Sequence, residues 1–317
     1  MTKNNVSHCK RREFIGLAAA GMAAGASAGC CNSRVGCCDK GGRMLFGVCC
    51  GPDQVPQLKE IGYDFWEWNA AGAFIPEKSD DEWKKHRDEK ILSAPLPIRS
   101  VNGFLPGKFR LTGPNASFDE PLKYAETVCR RADEVGLKTI VFGSGGARNV
   151  PGDICGTKEQ KPLPEKGVEQ YTDFCKQLAA RIQGLKVCVV VEPLRPNESN
   201  IINYVWQGLQ IVEDVGSPRI QQLADIFHMI MGRESPESIV QAGCRLKHVH
   251  IAEKETRMYP GKDDYDFSPY FNALKKIGYS GGVSCECGWP NRSKDKDGFY
   301  AARVKALAVM KKFAGQA

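Results

Sequence analysis

The chain has little of what would mark several common classes of protein. It has only five histidines among 317 residues, and its net charge of +7 is modest. Residues 1–29 carry Lys3, Lys10, Arg11 and Arg12 against Glu13, which leaves about +4 for the rest. That is too weak a positive field to argue for nucleic acid. The N-terminal apolar run, Ile15 to Ala28, is built mostly of Ala and Gly and is too short to span a bilayer. The 14 cysteines include three CC pairs, Cys30-Cys31, Cys37-Cys38 and Cys49-Cys50. These pairs lack the C-x2-C spacing of a structural zinc site. Cys129, Cys175, Cys188 and Cys285 fall inside apolar patterns, where Cys behaves as a small buried hydrophobe. Collagen-like, coiled-coil and disordered chains are excluded by 42% hydrophobic and 26% charged residues without a repeat.

What is present begins with a targeting segment. Lys10-Arg11-Arg12-Glu13-Phe14-Ile15-Gly16 resembles a twin-arginine export signal, and Ala26-Ser27-Ala28 fits a small-residue cleavage site. Ser27-Ala28-Gly29-Cys30 also resembles a lipoprotein box, so a membrane contact would be a lipid anchor at Cys30. The expected organisation is a signal peptide over 1–29, a linker over 30–42 and one domain over 43–317. The expected location is the periplasm, free or lipid-anchored.

Beyond the linker, short apolar runs alternate with longer amphipathic ones. Short runs bounded by turn residues read as buried parallel strands. Eight are expected: Met44–Cys49, Asp64–Trp68, Ile98–Val101, Thr139–Phe142, Val187–Val191, Gln221–Ile226, His248–Ile251 and Gly282–Glu286. Helix patterns lie between them at Gln54–Ile61, Asp119–Val135, Gly167–Gln183, Tyr204–Val215, Pro236–Ala242, Pro269–Ile277 and Gly298–Phe313. The first six stop at or just before a Gly, or shortly before the next strand, as a glycine cap requires. Alternation of this kind implies a single (β/α)8 barrel. An open doubly wound sheet would place a Gly-rich phosphate turn after strand one; Cys49-Cys50-Gly51-Pro52 stands there instead. The Gly-rich stretch Gly143-Ser144-Gly145-Gly146 lacks the following Lys-Ser/Thr of a nucleotide loop. It reads as a loop needing backbone room near a ligand.

Barrels of this kind build their sites at the C-terminal ends of the strands. Glu192 ends strand five and Asp225 ends strand six, with His228 just beyond. His248 and His250 stand two apart on strand seven and so share a face. Glu286 ends strand eight. A carboxylate after an apolar run must be paired or bind a cation. Three carboxylates and one imidazole suit Mn2+ best, with Mg2+ or Co2+ as alternatives, rather than a thiolate-loving ion.

These motifs resemble the xylose-isomerase-like barrels, and among them the ketose 3-epimerases of the D-tagatose 3-epimerase type. The resemblance covers residues 43–317 and rests on V-V-V-E192-P-L, A-D225-I-F-H228-M, H-V-H250-I-A-E and V-S-C-E286. The separations of 33, 25 and 36 residues are close to that family's spacing. It implies that Glu192, Asp225, His250 and Glu286 bind the metal, and that Glu192 and Glu286 also act as acid and base. It implies sugar contacts from His228, from Arg257 in an R-x-x-P-G-like loop and from Glu198. Glu67, with Trp66 or Trp68, would line the sugar pocket. Arg257 stands seven residues after His250, one further than the family pattern.

The implied chemistry is removal of a proton beside a carbonyl, giving an enediolate, with 3-epimerisation as its outcome. An aldose–ketose isomerase, an inosose-type dehydratase or a 3-keto-sugar enzyme would use the same residues. A surface sugar-binding lipoprotein is the non-enzymatic alternative. The expected partner is a small sugar, with no nucleic acid. A homo-oligomer is compatible with the sequence.

Overall fold

Each expected strand is short and apolar in pattern, with aliphatic or β-branched residues in most and aromatic residues in the second, and is flanked by residues that turn the chain. In the computed structural model, which describes residues 42–151 and 165–316, all eight form. They are β1 (Leu45–Cys49), β2 (Phe65–Asn69), β3 (Ile98–Asn102), β4 (Thr139–Phe142), β5 (Cys188–Val191), β6 (Ile220–Asp225), β7 (Leu246–Ile251) and β8 (Gly282–Cys285). They pair in sequence order, all parallel, and β8 returns to β1 to close the barrel. The signal segment, the first linker cysteines and Cys30 lie outside the described residues. No helix among the described residues is long and apolar enough to cross a membrane.

The helices are α1 (Val55–Ile61), α2 (Ala70–Phe74), α3 (Asp80–His86), α4 (Asp119–Glu134), α5 (Gly145–Arg148), α6 (Glu165–Arg181), α7 (Val205–Val215), α8 (Ile226–Met231), α9 (Glu237–Ala242), α10 (Ser268–Lys276) and α11 (Lys296–Ala314). The seven expected from periodicity match α1, α4, α6, α7, α9, α10 and α11 to within about two residues at each end. Gly62 (φ 98°) and Gly216 (φ 64°) cap α1 and α7 in the left-handed region, which costs a glycine nothing. Of the additional helices, α2, α5 and α8 begin at a strand's end or after at most two intervening residues, and α3 follows α2. They are too short to show a period, although Ser79 and Glu82 form a full capping box on α3.

Alternation along the strands divides the core into two. Val141, Val190 and Leu223, on β4, β5 and β6, form a small separate cluster. Each stands two residues before Gly143, Glu192 or Asp225, so the cluster shares their face and fills the barrel below them. The larger cluster, which contains Trp66, Val101, Ile140 and Val189, packs the outer strand faces against the helices. Phe65 points the other way, and its ring occupies the space beside Gly47 and Gly282; a Cβ on Gly282 would meet its Cζ at 2.9 Å. The described cysteines are free thiols, and Cys129, Cys175 and Cys285 are buried.

Gly47 therefore holds its position because the Phe65 ring leaves no room for a side chain. Gly47→Ala should destabilise the fold by about 1–3 kcal/mol, the usual cost of overpacking. Combining it with Phe65→Leu should restore part of the loss. Thermal melts of the single and double variants check this; equal losses would contradict it.

Candidate metal centre

Four neighbouring strands deliver four donor groups to one point. Glu192 follows β5 and still donates its backbone N–H to Phe142 O at 3.4 Å, so the strand ladder fixes its origin. Asp225 ends β6 and caps α8: its Oδ1 accepts from Phe227 N at 2.8 Å and His228 N at 3.3 Å. That leaves Oδ2 free to face inward. His250 comes from β7, and Glu286 follows β8. Ligating atoms of Glu192, Asp225, His250 and Glu286 all lie within 4.8 Å of one another. His250 Nδ1 stands 3.0 Å from Glu192 Oε1 and 3.5 Å from Glu286 Oε2.

So many carboxylates can crowd together only if positive charge lies among them. Among the protein's own groups, His250 supplies it. Burial would lower its pKa, but Glu67, Glu286 and Glu192 drive it well above the ordinary histidine value. Burial, with the repulsion of Glu286, raises Glu192. Burial also lifts Asp225 to about 6. Glu286 goes the other way: burial opposes ionisation, but His250 outweighs it and holds the carboxyl at about 2. A divalent cation would satisfy this set better than one proton. The donors are three carboxylates and one imidazole, buried or nearly so, which fits a hard or borderline ion.

A supporting layer lies directly beneath. Glu67 is fully buried. Its Oε1 stands 3.0 Å from His250 Nε2, its Oε2 stands 2.8 Å from His248 Nε2, and Ser100 Oγ donates to Oε2 at 2.6 Å. Burial would raise its pKa, but His250 and His248 hold it well below the usual carboxylate range. Glu67 thus grips the far nitrogen of His250 and turns Nδ1 toward the cluster, as a carboxylate does behind a metal-bound histidine. Fully buried, it has no surface to offer a sugar. Trp66 is also fully buried and packs in the outer core. The expected pocket wall of Glu67 and Trp66 is therefore corrected: neighbours on one strand face opposite ways, so both could not line one cavity. Trp68 stacks between Trp66 and His86, with ring centroids 5.7 and 6.0 Å away.

The remaining expected residues gather at the mouth. A pocket of ≈ 290 Å³ is lined by Asn102, Glu192, Glu198, Arg257, Glu286 and the Gly143–Gly145 loop. Arg257 Nη1 donates to Glu198 Oε1 at 2.7 Å and Nη2 to Glu286 Oε2 at 3.5 Å. Its guanidinium rests over Phe227 at 4.6 Å. Arg195 shares Glu198 Oε1 at 2.8 Å. His228 is buried; its Nδ1 accepts from Arg195 N at 3.3 Å, and its Nε2 has no hydrogen-bond partner. That nitrogen lies 3.4 Å from Asp225 Oδ2, aimed at the cluster. Burial lowers its pKa to about 4, so it is neutral at pH 7 and can bond a ligand oxygen or hydroxyl.

Three further residues support the site. Asn102 Nδ2 donates to Glu286 Oε1 at 2.7 Å. Arg148, fully buried, donates to Glu192 O at 2.8 Å and Phe142 O at 3.1 Å, tying the ends of β4 and β5 together. At Gly143 any Cβ would collide with Glu192 Oε2, so the Gly-rich loop gives room to the Glu192 carboxylate.

Fold and donor set together define a (β/α)8 barrel protein whose C-terminal mouth carries a cluster able to hold a metal ion. The chain belongs to the xylose isomerase-like TIM barrel family, whose model matches residues 55–308. It is 27% identical over 168 residues to a probable ketose 3-epimerase of Synechocystis sp., covering 53% of this chain and 56% of that one. It is 32% identical over 168 residues to an L-ribulose 3-epimerase of Methylomonas sp., covering 50% and 57%. The matched stretch thus spans about half the length of these curated relatives. In three dimensions it is similar to a D-psicose 3-epimerase solved in the presence of D-fructose, with a TM-score of 0.69, 20% identity and coverage of 86% and 100%.

Two outcomes test the centre. Cation binding must displace the His250 proton, so it should release about one proton per chain at pH 7. Affinity should weaken as pH falls through about 6, where Asp225 also takes up a proton. Calorimetry with Mn2+ in two buffers of different ionisation enthalpy measures this; identical heats would contradict it. Glu67→Gln should weaken Mn2+ binding by about 10–100-fold, while a thermal melt reports whether the barrel persists. Unchanged affinity in a folded variant would remove Glu67 from this role.

Proposed function

We propose that the protein is a divalent-cation-dependent ketose 3-epimerase. The observation that carries this reading is the pair Glu192 and Glu286. Both reach the same imidazole nitrogen from different strands, 3.0 and 3.5 Å from His250 Nδ1. Two carboxylates that meet one point from different strands can take a proton from one face of a bound carbon and return one to the other. Relatives named as ketose 3-epimerases support the choice among enolising reactions.

Glu192, Asp225, His250 and Glu286 would hold the cation, with Mn2+ favoured by three oxygen donors and one nitrogen, and Mg2+ or Co2+ as substitutes. When bound, it supplies Lewis-acid stabilisation of charge on the carbonyl oxygen beside the reacting carbon. Glu286, held ionised, takes the C3 proton from one face of the sugar. Glu192 returns a proton to the other face, and the intervening species is the enediolate. In the reverse direction the two exchange tasks. His228 Nε2 bonds a sugar oxygen; Arg257 and Glu198 fix the sugar's far hydroxyls. Glu67 keeps His250 oriented and touches no substrate.

We also propose that the chain is exported by the twin-arginine pathway. The Lys10–Gly16 motif supports this, and a route that carries folded proteins suits an enzyme loaded with its ion in the cytoplasm. Acylation of Cys30 would give a lipid-anchored form, and cleavage after Ala28 a free periplasmic one.

With D-fructose, D-psicose or L-ribulose in deuterated water, the enzyme should place deuterium at C3. Labelling at C1 or C2 alone would favour an aldose–ketose isomerase, and binding without exchange would favour a sugar-binding protein. Glu286→Gln should lower kcat by about 10²–10⁴-fold. Replacing Arg11 and Arg12 together by Lys should retain the protein in the cytoplasm; fractionation that still finds it exported would contradict the signal. Mass spectrometry of the mature N-terminus separates the acylated form from the free one.

A further inference from the structure

A fifth ligating atom borders the cluster and belongs to none of the roles above. Cys49 ends β1, and its Sγ, a His250 ring nitrogen and a Glu286 oxygen all lie within 4.8 Å of one another. Two donors on one zinc-like ion stand at most about 4.4 Å apart when one is sulfur and the other nitrogen, so the three groups are near chelating distance. Cys49 also lies 3.6 Å from Ser284 Oγ on β8. It shares an inner face of β1 with Gly47, beside which the Phe65 ring packs. The thiol is therefore turned into the barrel mouth, not toward the helices. That a ligand belongs here has independent support in His228 Nε2, buried, without a partner and 3.4 Å from Asp225 Oδ2.

We propose that Cys49 is an additional donor, a thiolate, for thiophilic divalent cations at this site. With Co2+, Zn2+ or Cd2+ the S–H bond breaks, the S–metal bond forms and the proton passes to solvent; no oxidant or reductant takes part. With Mn2+ or Mg2+ the thiol keeps its proton, because hard ions gain little from sulfur. The oxygen-rich set alone would rank the ions by size and geometry. Cys49 adds a preference by softness. The inference rests on the four-residue metal reading given above.

The test is absorption spectroscopy of the Co2+-loaded full chain, wild type against Cys49→Ser. The wild type should show cobalt d–d bands in the visible and a thiolate-to-cobalt charge-transfer band in the near ultraviolet. Cys49→Ser should keep the d–d bands and lose the charge-transfer band. Its Cd2+ affinity should fall by about tenfold or more, the scale seen when one support of a metal's shell is removed, and its Mn2+ affinity should not change. A charge-transfer band that survives in Cys49→Ser would assign the sulfur to another cysteine and overturn the proposal. Wild-type d–d bands without a sulfur band would overturn it and leave the four-residue centre standing. No cobalt bands at all would overturn both.

Discussion

Like charges crowded into a low-dielectric mouth are the constraint on which this structure turns. Glu192, Asp225 and Glu286 meet around one imidazole, and in such surroundings each carboxylate raises the cost of ionising the others. The barrel can hold them there because their backbones are fixed by strand ladders that do not depend on the side chains. The fold thus stores an electrostatic demand that only positive charge relieves. His250 meets part of it as an imidazolium; a divalent cation would meet all of it. Arg257, held over Phe227 and joined to Glu198 and Glu286, balances the outer edge.

The site is layered, and each layer constrains the next. Val141, Val190 and Leu223 fill the barrel floor. Glu67, His248 and Ser100 form a buried polar layer that fixes His250. The donor cluster lies above it, and the pocket opens over the Gly143–Gly145 loop. The β2–β3 register shifts between Trp66 and Glu67, and the β6–β7 register between Gln222 and Leu223. Both irregularities come shortly before a residue of the site, where a bulge re-aims side chains. Arg148 and Asn102 complete the frame by fastening the chain at Glu192 and the carboxylate of Glu286.

The strands and long helices were legible because their periods extend over several residues. Three of the four donors are legible for a related reason: Glu192, Asp225 and Glu286 stand where apolar strands end, and a carboxylate there needs a partner. Glu67 met the same criterion and was assigned to the pocket wall, because linear order does not say whether a strand-end carboxylate faces a ligand or a neighbouring histidine. The period of two did carry part of that answer. Trp66 and Glu67 are adjacent, so one of them had to face the helices, and Trp66 does. Arg148, Asn102 and the approach of Cys49 to His250 arise from contacts between distant strands and loops. The short helices α2, α3, α5 and α8 hold fewer than two turns each and show no period; α1 and α9 are as short, but a Pro near the start and a Gly at the end mark them in the sequence.

The central claim is that one cation sits among Glu192, Asp225, His250 and Glu286. Crystals of the protein soaked in Mn2+ and measured on both sides of the manganese absorption edge test it most directly. The expected result is one strong anomalous peak per chain, in contact with all four side chains and with His250 through Nδ1. A peak elsewhere, or none at this cluster while His250 remains bonded between Glu67 and Glu192, would contradict it.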